Sequence, residues 1–66
     1  MAQNDELQEI ADFIGSLAER IADLTLDALR SQAQGDGDAK ATERALASAR
    51  RSLVKAEQTI RGLARG

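Results

Sequence analysis

The stretch SQAQGDGDAKATE, residues 31–43, lies near the middle of a 66-residue chain that is otherwise rich in helix-forming residues and contains no proline. Gly35 and Gly37 permit left-handed or open backbone angles, and Asp36 and Asp38 offer carboxylates to the unpaired amides of a helix that starts after them. A connection of five residues, 34–38, suits a tight turn between two helices. The stretch therefore ends one helix and begins another.

Upstream of it, Leu7, Ile10, Ile14, Leu17, Ile21, Leu24 and Ala28 recur at alternating steps of three and four, which places them along one seam of a helix. Asn4 or Asp5 is suited to cap its start, and Asp5, Glu6 and Glu9 complement the positive end of the helix dipole. This predicts a first helix over about residues 5–33, about 43 Å long. Downstream, Ala39, Thr42, Leu46, Ala49, Leu53, Ala56, Ile60 and Leu63 repeat the stepping, which predicts a second helix over about residues 39–64 with large and small positions alternating. The expected core is Ile14, Leu17, Ile21 and Leu24 against Leu46, Leu53 and Ile60. The fold class is all-α: one domain, an antiparallel two-helix hairpin.

Charge divides at the same break. Residues 1–33 carry seven acidic and two basic side chains, a net of −5, whereas residues 39–66 carry seven basic and two acidic, a net of +5. Folding one half on the other brings opposite charges together. Exposed pairs stabilise by only about 0–1 kcal/mol each, so the pattern selects orientation and partner more than it adds stability.

A chain of this size is near the lower limit for a single hydrophobic core, and the usual reinforcements are disulfides, a metal or association. With no Cys and no His in the sequence, association is the expected route. Helix one also carries a second stripe beside the first, made of Ala11, Gly15, Ala18, Ala22, Leu26 and Leu29. These six are the expected intersubunit surface. Gly15 costs a helix about 1 kcal/mol relative to alanine, which close approach of another helix would offset. The hairpin is thus expected to form a homodimer or higher oligomer, with a two-fold four-helix bundle the simplest closed form, or to dock on a larger protein partner.

The chain offers little for catalysis. Ser16, Ser31, Ser48 and Ser52 have no histidine to activate them, and Lys40 and Lys55 read as solvated. Glu19, Asp23 and Asp27 form i, i+4 pairs, but without the Glu-x-x-His spacing of helical metal sites they read as a solvated face. The aspartates of the loop do not match a calcium-binding pattern, since Lys40 stands at the third acidic position, and no phosphate-binding glycine loop is present. No catalytic residue, metal or cofactor is expected.

The remaining surface of interest is basic: Lys40, Arg44, Arg51, Lys55 and Arg65 fall on or near the outer face of helix two. Such a ridge can follow a phosphate backbone. In architecture alone, without a matching motif, the hairpin resembles the Rop family of small dimeric RNA-binding hairpins. That resemblance implies RNA or DNA as an alternative partner. Against it stand the net charge of −2 and a single aromatic residue, Phe13, for base stacking. Insertion into a membrane surface is disfavoured because the apolar residues of helix two, Leu53, Val54, Ile60 and Leu63, are needed elsewhere and its face is alanine-rich. No apolar run is long enough to span a bilayer, and the acidic MAQNDELQEI is unlike a secretory signal, so a cytoplasmic location is expected. The leading expectation is a non-catalytic interaction module.

Overall fold

The computed structural model describes residues 2–35 and 37–65, the Ala2 side chain excepted. Helix α1 spans Ala2–Ala33 and helix α2 spans Asp38–Arg65, and they pack against each other along their length as an antiparallel hairpin. The molecule is a rod of 52 × 13 × 11 Å. Its radius of gyration is 15.2 Å, against about 11 Å for a globular chain of this length.

α1 starts earlier than the capping residues suggested. Asn4 and Asp5 lie inside the helix, because Ala2 and Gln3 are good helix formers and nothing stops the helix from extending over them. Asp5 still stands in the first turn, where the dipole favours its charge.

The expected stop is where the sequence places it. Gly35 has φ +97°, and its N–H donates to the Gln32 carbonyl at 3.0 Å, the bond that a left-handed residue just past a helix makes to the last open carbonyls. The Gln34 N–H donates to the carbonyls of Arg30 and Ser31 at 3.2 and 3.1 Å. α2 then begins at Asp38, which stands in its first turn. Asp36 lies outside the described residues.

The seam between the helices differs from the expected one by a single column on each helix. In α1 it consists of Leu7, Ile14, Ile21 and Ala28, as expected, with Leu17 half-covered beside them, together with Ala11, Ala18 and Thr25 in place of the exposed Ile10 and Leu24. In α2 it consists of Ala39, Leu46, Leu53 and Ile60, as expected, together with Glu43, Glu57 and Ala64 in place of Thr42, Ala49, Ala56 and Leu63. Thr25 is accommodated there because its hydroxyl donates to the Ile21 carbonyl at 2.9 Å, leaving its methyl to pack.

The physical reason is a fit of long against small. Glu43 and Glu57 are half-buried, and the Glu57 carboxylate lies over Gly15, where a Cβ would stand 3.0 Å from Oε2. The Glu57 carboxylate thus occupies the room that Gly15 leaves and meets Arg61 beside it. Arg50 is exposed and lines a cleft together with Ala22 and Thr25.

The buried side chains among the described residues are alanines: Ala11, Ala18, Ala28, Ala39 and Ala64. None of the described large side chains is fully buried. The larger apolar residues of the seam are half-covered, with one side on the partner helix and the other toward solvent.

Candidate interaction surfaces

An antiparallel pair has two flanks, and the contacts identify which residues share each. Asp12 and Gly15 of α1 meet Arg61 and Glu57 of α2, and Ala22 and Leu26 border a cleft with Ala47, Arg50 and Arg51. These residues define one flank, which is charged. By helical spacing, Ile10, Phe13, Leu17 and Leu24 lie on the other flank of α1, and Ala45, Ala49, Ser52, Ala56 and Leu63 on that of α2.

The charged flank is organised by Arg61. Its Nη2 donates to Glu57 Oε2 at 2.7 Å and to Asp12 Oδ1 at 3.0 Å, and its Nε donates to Glu57 Oε2 at 3.0 Å. Hydrogen bonding to Glu57 first, and to Asp12 second, raises the Arg61 pKa above its ordinary value against the opposing effect of burial. An i, i+4 pair within α2 thus aims a cation across to α1. Periodicity of apolar residues carries no sign of this network; the Glu57–Arg61 spacing is its only trace in the sequence.

Of the six residues expected to form an intersubunit surface, four belong to the hairpin itself. Ala11 is 0% exposed and Ala18 is buried against α2, so neither offers surface to a second subunit. Gly15 faces Glu57 and Ala22 borders the Arg50 cleft. The close approach that Gly15 was expected to allow is made by a side chain of the same chain. Leu26 and Leu29 remain exposed on the charged flank.

The cleft beside Leu26 is about 360 Å³, at the low end for ligand pockets. Among the described residues, however, no polar or charged side chain is buried to orient a ligand. Lys40, Arg44, Arg51, Lys55 and Arg65 are all exposed and, by helical spacing, run along the charged-flank side of α2. The basic ridge is therefore a physical feature, separate from the apolar residues of the other flank.

That other flank is uncharged across its centre. Phe13 is 66% exposed, Leu63 60% and Leu24 50%, and Ile10 is also exposed. Leu17 between them is half-covered, because it sits next to the Ile14 and Ile21 column. Opposite these large side chains, α2 presents Ala45, Ala49, Ser52 and Ala56, all exposed. Phe13 stands at its outer edge on α1, in one column with Glu6, Arg20 and Asp27. The flank is a ridge of large apolar side chains beside a shelf of small ones.

Among the described residues, no cluster of three or more potential metal ligands occurs, and no helix is long and apolar enough to cross a membrane. Compared with known protein families, with curated proteins and with solved structures, the chain matches none. Its function must be read from its own surfaces.

Proposed function

We propose that this chain is a small, non-catalytic assembly module that works through helix–helix packing, with the uncharged flank as its docking surface. The observation that supports the reading is the exposure of Ile10, Leu24 and Leu63 on one flank, with Phe13 at its edge, of a rod in which none of the described large side chains is fully buried. Contiguous apolar surface of this kind marks sites where proteins meet. Its counterpart on α2 is small and uncharged, so an incoming helix can approach closely.

A second reading has its own support: the exposure of Lys40, Arg44, Arg51, Lys55 and Arg65 along one side of α2 suits contact with the phosphates of RNA or DNA. The two readings separate by photo-crosslinking in cells. With Phe13 replaced by a photoreactive phenylalanine analogue, the module reading expects protein adducts at that position and no nucleic-acid adducts from the same analogue at Arg51. Nucleic-acid adducts from position 51, with none to protein from position 13, would reverse the choice. A change of Arg44 and Arg51 to Gln that abolishes salt-sensitive RNA binding would do the same.

A further inference from the structure

We propose that the occupant of the uncharged flank is a second copy of this chain, related by a two-fold axis parallel to the helices, so that α1 of each copy lies over α2 of the other. This rests on the assembly reading above and specifies its partner.

The area fits. A compact monomer of 7.1 kDa exposes about 4,100 Å². The hairpin, as an elongated rod, exposes 4967 Å² over its whole surface, an excess of roughly 900 Å², so covering the ~800 Å² that each partner contributes to a standard protein interface would bring it back to the exposure of a compact monomer.

The shape selects the axis. Asp12 opposite Arg61 and Gly15 opposite Glu57 fix which residues of the two helices stand at the same level. A two-fold axis along the rod keeps those levels. Leu24 of one copy then meets Ala49 of the other, Leu17 meets Ala56, and Ile10 meets Leu63 at the end of the rod. Large side chains settle on small ones at two of these three levels. A two-fold axis across the rod would instead stack α1 on α1 and α2 on α2, with ridge on ridge and a gap between the two alanine shelves.

Charge selects the same axis. α1 has a net charge of −5 and α2, with Asp38, a net of +4. The axis along the rod surrounds each acidic helix with two basic ones, whereas the axis across it sets acidic helix on acidic helix. Every neighbouring pair in the resulting four-helix bundle is antiparallel and opposite in charge. The basic ridge stays on the outside.

Sedimentation equilibrium of the purified chain tests the partner. The expected mass is twice 7.1 kDa. The double change Phe13→Glu with Leu24→Glu is expected to weaken association at least about 100-fold, while Leu26→Glu on the other flank changes it less than about 3-fold. Both changed positions are exposed in the hairpin, and helicity by circular dichroism confirms that the variants fold. The axis is tested separately, since the chain has no cysteine of its own. Under oxidation, a mixture of the Leu24→Cys and Ala49→Cys chains is expected to give the mixed disulfide at least tenfold over either self-pair. A helical monomer at every concentration up to ~1 mM would overturn the second copy as partner while leaving the docking flank to another protein. Absence of that mixed disulfide, or preferential self-pairing of Leu17→Cys, which stands at the middle of α1 where an axis across the rod would bring it beside its own copy, would overturn the axis.

Discussion

Gly15 shows how one residue's role changes with the side of the helix it stands on. As a glycine inside α1 it costs about 1 kcal/mol in helix propensity, and its return is room for the Glu57 carboxylate, which in turn holds Arg61 against Asp12. A methyl group there would stand 3.0 Å from Oε2 and 3.3 Å from Cδ of Glu57. Gly15→Ala is therefore expected to stabilise the fold by less than about 0.5 kcal/mol, and by the full ~1 kcal/mol once Glu57→Ala removes the carboxylate. Urea denaturation of the four members of the cycle measures this; equal gains in both backgrounds would show that Glu57 does not depend on the gap. The glycine was visible in the sequence as a site of close approach. What approaches it was not, because a charged residue on the other helix does not register in a pattern of apolar ones. Ala18 is a plainer case: buried on α2, it leaves no room, and Ala18→Leu is expected to cost about 1–3 kcal/mol.

At the scale of the elements, the hairpin was legible and its register of faces was not. Two glycines, alternating aspartates and the reversal of charge located the turn to within a residue or two, and Gly35 ends α1 through its positive φ. Gly35→Ala forces a side chain into that region and is expected to destabilise the fold by ~1 kcal/mol, read as a lower denaturation midpoint with an unchanged slope. The seam is harder to read because α1 carries three adjacent columns of apolar or small residues. Leu7, Ile14 and Ile21 form the middle one, with Ile10, Leu17 and Leu24 on one side and Ala11 and Ala18 on the other. Periodicity cannot choose between the two outer columns, since both lie one helical step from the middle. The packing of α2 makes the choice: it buries Ala11 and Ala18, and its Glu57 carboxylate fills the gap over Gly15 beside them. The larger column is thereby turned outward.

For the whole molecule, that outcome explains why the small column packs inside and the large one outside. Two rods 52 Å long, each with an acidic and a basic helix, complete one another's cores if the ridge of α1 fills the shelf of α2 in the neighbouring copy. The middle column, Leu7, Ile14 and Ile21, then belongs to both interfaces, half-covered by α2 of its own chain and half by the second copy. Composition alone pointed to association, since 66 residues without cysteine or histidine have few other means of support. The flank proposed to carry it is visible only once the hairpin's own seam is known.

The most direct test of this account is the thermal unfolding midpoint, followed by circular dichroism at 222 nm, over a wide range of protein concentration. If the second copy completes the core, association stabilises the folded state by mass action and the midpoint rises steadily with concentration. A midpoint that stays constant across the range would contradict the account and show that the hairpin stands by itself.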